Sequence, residues 1–148
     1  MKKQNDVELF SSNLRRVIRS MHAHGRKILL KKDLTFPQYY TLFLLSKKDG
    51  CCMDFLKNDL KISGASATKV VDHLIKKKLV DRGFWSKDRR KVNIVLTDKG
   101  KKLLKAIEKV RMKFMSKFLG KMNESNKKKA ITGLKILSEA LLPVEGDK

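Results

Sequence analysis

Between Asp88 and Gly100 the chain runs Asp-Arg-Arg-Lys-Val-Asn-Ile-Val-Leu-Thr-Asp-Lys-Gly, a basic turn that passes into an alternating strand and then into a helix start. Val92, Ile94 and Leu96 fall on one face of an extended segment and Lys91, Asn93 and Val95 on the other, the period of a half-buried strand. Thr97 ends it. Its hydroxyl suits the N-cap of a following helix, and the charge on Asp98 suits the first turn of the helix dipole. The partner strand is expected in Leu79-Val80-Asp81-Arg82-Gly83-Phe84-Trp85, with Ser86-Lys87-Asp88-Arg89 as the turn and Lys91 to Thr97 as the return.

Around this hairpin the apolar residues keep helical spacing. Phe10, Leu14, Val17, Ile18, Met21 and Ile28 form one stripe from Val7 to about Leu30, which predicts an amphipathic helix. Thr35 is a cap candidate, and Pro37 falls in the first turn, where its missing N–H costs nothing. A second helix through Tyr39, Leu42, Phe43 and Leu45 is apolar nearly all round and is expected at the centre of the domain, ending before Asp49-Gly50. Cys51 to Leu60 reads as a short helix, and Ile62-Ser63-Gly64 as the turn behind it. The next helix carries Val70, Val71, Leu74 and Ile75 inward and leaves Ala65, Ser66, Thr68, Lys69, Asp72 and His73 outside. Two short helices joined by a tight turn make a helix-turn-helix whose second helix is free to enter a major groove. Two further helices follow the hairpin. One runs from about Asp98 to Met122, and the last carries Ala130, Leu134, Leu137 and Leu141.

With 36 Lys and Arg against 15 Asp and Glu, the 148-residue chain has a formal charge of +21, far beyond what solubility needs. A polyanion relieves such self-repulsion, and nucleic acid is the first candidate because neutralising phosphates releases condensed counterions. The basic Met1-Lys2-Lys3 start leads into no apolar signal core, and no stretch approaches a membrane span, so a cytoplasmic protein without membrane contact is expected. Cys51 and Cys52 are adjacent, which suits neither a disulfide staple nor a CxxC site, so reduced thiols are expected, with a thiol switch as the alternative. No nucleophile with a base, no paired carboxylates and no phosphate-binding glycine loop is legible, which excludes an enzyme reading. His22 and His24 diverge on one helix, so neither metal nor other cofactor is expected.

The order helix, helix, helix-turn-helix, hairpin, long helix, helix resembles the MarR family of bacterial winged helix-turn-helix regulators over nearly the whole chain. The likeness is carried by Asp88-Arg89-Arg90 with Leu96-Thr97-Asp98-Lys99-Gly100, and by Val70 to Val80 as the recognition helix running into the first wing strand. Lys78 departs from the pattern, since relatives commonly place glycine there to end the helix. The resemblance implies a mainly α fold with a small β-hairpin wing. Residues 35–97 are then the DNA-binding lobe, and 7–30 and 98–142 are dimerisation helices, all in a single domain spanning 1–148.

It further implies a homodimeric transcription regulator, a repressor more often than not, on a pseudo-palindromic operator in double-stranded DNA. Arg90 is then the minor-groove probe, Asp88 orients its guanidinium, and Arg89 and Lys87 meet phosphates. Ser66, Thr68 and Lys69 read bases, Gly64 and Ala65 allow close approach, and Lys76 and Lys77 add backbone attraction. A small aromatic ligand would be met by His24, Phe36, Tyr39 and Tyr40. The alternative is a constitutive architectural protein of the same fold, which binds nucleic acid without sequence preference and has no sensor.

Overall fold

A computed structural model describes residues 2–48, 50–85 and 88–141, with side chains omitted for 2–4 and 84–92. Its elements follow in the order α1 (Lys2–Lys31), α2 (Phe36–Lys47), α3 (Met53–Leu60), α4 (Gly64–Lys76), β1 (Val80–Trp85), β2 (Asp88–Leu96), α5 (Asp98–Leu119) and α6 (Glu124–Ala140). The mainly helical architecture with one two-stranded antiparallel hairpin is the one the periodicities predict. Residues up to Lys109 form one compact unit and those from Val110 a second.

Within the first unit the core is built on α2, which buries Gln38, Tyr39, Thr41, Leu42 and Leu45. Leu42, Leu56 and Leu74, from α2, α3 and α4, are fully enclosed, together with Ile94 of β2 and Ile107 of α5. Truncating any of these leucines to alanine removes apolar burial and leaves a void, a loss of about 2–5 kcal/mol. Phe36 departs from the expectation of a helix apolar all round because it is buried on one side only and stays 61% exposed. Thr35 caps α2 as expected and does so reciprocally. Its hydroxyl accepts from the Gln38 N–H at 3.4 Å, while its own N–H donates to the Gln38 side chain at 2.9 Å.

Three helix ends close without glycine. Asp33, Lys61 and Lys78 all take positive φ, at 51°, 54° and 58°. In each case the next amide reaches back over the last turn: Leu34 to the Leu29 carbonyl, Ile62 to Lys57 and Leu79 to Leu74. These are Schellman ends, which satisfy otherwise orphaned carbonyls. Lys78 therefore adopts the left-handed conformation that glycine enters most easily. In the helix-turn-helix the left-handed residue of the turn is Lys61, and α4 opens at Gly64 behind its Ser63 cap.

Two more expectations shift. Cys51 is not helical but pairs with Ile94 of β2, exchanging N–H···O bonds of 3.1 and 2.9 Å, so α3 begins at Met53. That bridge lies along β2 and draws Gly50 close to it. A Cβ on Gly50, where φ is +106°, would lie 2.4 Å from the Asn93 amide. Asn93, expected on an outer face, is consequently buried. In β2 itself Asp88, Arg89 and Arg90 are already strand residues rather than a turn, and the pairing with β1 shifts register between Phe84 and Trp85.

Much of α1 stays uncovered. Val7, Leu9, Phe10, Leu14, Val17 and Ile18 are exposed, and only Ile28 and Leu29 near its end enter the core. In the second unit α6 is capped by Asn123, whose side chain accepts from the Asn126 N–H at 2.8 Å, yet the helix buries no residue. Among the described residues no helix is long and apolar enough to cross a membrane.

Candidate nucleic-acid interface

The second helix of the helix-turn-helix is anchored by spacing. Ala67, Val71 and Leu74 recur on one face of α4 and are buried, with Val70 and Ile75 half-buried beside them. That packing turns Gly64, Ala65, Ser66, Thr68 and Lys69 to the surface, so the three expected base readers and the two small residues expected to allow close approach share the exposed start of the helix. Ser63 caps α4, accepting from the Ser66 N–H at 3.2 Å and donating its hydroxyl to Ser66 Oγ at 2.9 Å. Thr68 donates its hydroxyl to the Gly64 carbonyl at 3.0 Å. Capping and base reading are thus compatible. Thr68 keeps acceptor capacity while its proton is used locally, and Lys69 is an exposed cation.

Beside α4, β1 and β2 pair in register from Val80↔Leu96 to Phe84↔Val92. Lys87 lies outside the described residues, and Asp88, Arg89 and Arg90 are described only through their backbone in β2. The base of the hairpin is tied to α4, where Arg82 of β1 donates to Asp72 at 3.3 Å. Thr97 ends β2 as expected and caps α5, accepting from the Gly100 N–H at 3.0 Å. Its hydroxyl also donates to the Lys78 carbonyl at 2.8 Å.

Contacts at the far end of α4 were invisible in the sequence. Lys77 donates to the Asp33 carboxylate at 2.6 Å and to the Asp33 carbonyl. Lys99 donates to the Lys77 carbonyl at 2.9 Å. The Lys77 ammonium holds the Asp33 carboxyl below the ordinary aspartate range, by hydrogen bond first and charge second. Partners 44 residues apart leave no local signal by which spacing finds them.

The residues expected at a ligand site are dispersed in character. Tyr39 is buried, with its hydroxyl donating to Glu108 at 2.6 Å, and burial raises the Glu108 carboxyl above its usual value. Tyr40 is half-buried and stacks between Phe36 and Phe43, with ring centroids at 5.8 and 6.1 Å. Its hydroxyl pKa is raised by burial and by Asp59. His24 is half-buried on α1. A shallow groove of about 350 Å³ opens elsewhere, lined by Leu45, Ser46, Gly50, Val95, Leu96 and Lys101. No group of three metal-ligating side chains occurs among the described residues.

A helix-turn-helix whose second helix lies free beside an antiparallel hairpin defines a winged helix-turn-helix protein. The chain belongs to the SarA/Rot family of transcriptional regulators, which matches residues 23–107, and it has the MarR-type winged-helix fold. It is 30% identical over 113 residues to the HTH-type transcriptional regulator YfiV of Bacillus subtilis (strain 168), covering 76% of this chain and 70% of that one. Its fold matches a MarR family protein from Bacillus stearothermophilus with TM-score 0.86, at 22% identity over 93% of this chain and 96% of that one. A variant of Staphylococcus aureus MepR bound to an oligodeoxyribonucleotide superposes with TM-score 0.67, at 24% identity over 89% and 97% of the two chains. The family and these relatives are transcriptional regulators, not enzymes.

Proposed function

We propose that the protein acts in the cytoplasm as a homodimeric repressor that recognises a pseudo-palindromic operator in double-stranded DNA and is released by a small aromatic ligand. The observation that carries this is the start of α4. Gly64, Ala65, Ser66, Thr68 and Lys69 are exposed together while Ala67, Val71 and Leu74 fix the helix from behind. Small residues there let the backbone approach base edges, and Ser66, Thr68 and Lys69 supply polar atoms. The oligodeoxyribonucleotide bound to a MepR variant of the same fold supports DNA as the partner.

Dimerisation is supported separately by α1 and by α6, each of which presents apolar side chains that nothing in its own unit covers. Two recognition helices related by a two-fold axis would enter successive major grooves about 34 Å apart. Arg90, on the strand that leaves the wing tip, is the side chain for the flanking minor groove. By the family resemblance, Asp88 would orient its guanidinium, and Arg89 and Lys87 would meet phosphates. Phe36 and Tyr40 offer the ligand an aromatic face, with His24 and the buried Tyr39 as the remaining members of that site.

Selection of bound sequences from random double-stranded DNA is expected to yield an inverted repeat, and Arg90→Ala to weaken binding to it several-fold. Binding without any enriched sequence and with a steep salt slope would instead favour the architectural reading, which the charge of +21 makes the natural competitor. A stable monomer in mass photometry would remove the two-fold arrangement.

A further inference from the structure

Arg82 pairs with Asp72 and Lys77 with Asp33, and both ion pairs join different parts of the fold. The second sits at the C-terminal end of α4, where three chain segments converge. Asp33 is the left-handed residue that ends α1. Lys77 is the last residue before the left-handed Lys78 and has its side chain mostly covered, at 24% exposure. From the other side, Lys99 and Thr97 at the start of α5 take the carbonyls of Lys77 and Lys78.

Such a pair in water adds little to global stability, because Asp33 is exposed and solvent screens it. Its effect is geometric. A helix of 13 residues is about 20 Å long, so a tilt of roughly 5° about its C-terminal end moves its N-terminus by about 2 Å. A displacement of that size separates a base-edge hydrogen bond from a missed one. The start of α4 is where Ser66, Thr68 and Lys69 are presented, and its end is where Lys77 is held.

We propose that Lys77 is a positioning residue: clamped by Asp33, it sets the pitch of α4 and thereby operator specificity, and it does not serve as a phosphate contact. This rests on the DNA-binding reading above. Charge makes the two roles separable, because Asp33→Asn removes a negative charge from a protein that binds a polyanion. Electrostatics alone then tightens binding to every sequence, whereas loss of the clamp weakens operator binding.

The test uses full-length protein carrying Asp33→Asn, Lys77→Arg, Lys77→Ala or the swap Asp33→Lys with Lys77→Asp, titrated against the selected operator and against random DNA at several salt concentrations. Asp33→Asn is expected to lower operator affinity on the order of tenfold while affinity for random DNA holds or rises. Lys77→Arg and the swap are expected to recover most of the operator affinity. The salt slope for Lys77→Ala is expected to match wild type, whereas removing a phosphate contact reduces it by about one. Tighter operator binding by Asp33→Asn, or a reduced slope for Lys77→Ala, overturns the proposal.

Hydrogen exchange on the free protein gives a reading that needs no DNA. The amides of Lys78 and Leu79, which close the end of α4, are expected to lose protection in Asp33→Asn. If wild type selects no operator at all, the operator-binding reading fails. Unchanged protection in this experiment then overturns the clamp on its own evidence.

Discussion

Gly100→Ala tests how closely the start of α5 is seated on the chain that leaves α4. Gly100 lies in the first turn of α5, and a Cβ there would sit 2.0 Å from the Leu79 carbonyl oxygen and 3.1 Å from Leu96 Cδ2. A methyl carbon tolerates an oxygen at about 3.3 Å, so α5 must retreat by roughly 1.3 Å. The backbone at Leu79 cannot yield easily. Its N–H is bonded to the Leu74 carbonyl and its carbonyl accepts from the Thr97 N–H at 3.1 Å.

Retreat breaks that Thr97 bond and the one from the Thr97 hydroxyl to Lys78, about 1 kcal/mol each. It also lifts Leu104 and Ile107 from the core, an overpacking strain of about 2 kcal/mol. Alanine returns about 0.7 kcal/mol of helix-forming preference over glycine. The net expected loss is about 3 kcal/mol, read as a lower urea midpoint at matched protein concentration. Gly25→Ala is the matched control in α1, where an added Cβ meets nothing within 4 Å, and it should stabilise by about 0.5–1 kcal/mol. If Gly100→Ala unfolds within 0.5 kcal/mol of wild type while Gly25→Ala behaves as stated, the close seating of α5 on Leu79 is refuted.

Further outcomes follow from single residues. Lys78→Gly should raise stability by about 1 kcal/mol by removing the side chain from a left-handed position, and an unchanged urea midpoint would contradict the strain assigned there. Burial raises the Glu108 carboxyl in the folded state, so its contribution to stability is fully present below the unfolded glutamate value of about 4.3 and is lost as pH rises through the folded value. Glu108→Gln should therefore be more stable than wild type near neutrality, with the difference vanishing in acid. A less stable variant at neutral pH would mean that the Tyr39 hydrogen bond to the carboxylate outweighs burial. The Cys51 thiol, buried and pushed up to about 11, should resist iodoacetamide until the protein unfolds, and rapid labelling of Cys51 in the folded state would show that it is not enclosed.

What could be read in advance was local. Thr35 and Thr97 cap their helices because a hydroxyl at that position finds an amide three residues on. The hairpin was visible because alternation survives in Val92, Ile94 and Leu96, and α4 because small and polar residues face away from Val71 and Leu74. The features missed were those made by residues far apart. Cys51 looked like part of a helix because only its pairing with Ile94 makes it extended. Asn93 looked exposed because nothing in β2 reveals that the chain at Gly50 lies close over it. Lys77 looked like one more surface cation because its partner is on another helix, and left-handed Lys61 lacked the glycine that marks such positions.

The three left-handed helix ends carry charged side chains where glycine would relax the backbone, and they differ in what relaxation removes. At Lys61 and Lys78 glycine removes one positive charge from a chain that carries many. At Asp33 it also deletes the carboxylate that grips Lys77. Selection for thermal robustness alone would therefore converge on glycine at all three sites, whereas selection for operator discrimination should tolerate it at 61 and 78 and purge it at 33. A library randomised at these three codons would sort the two pressures by position.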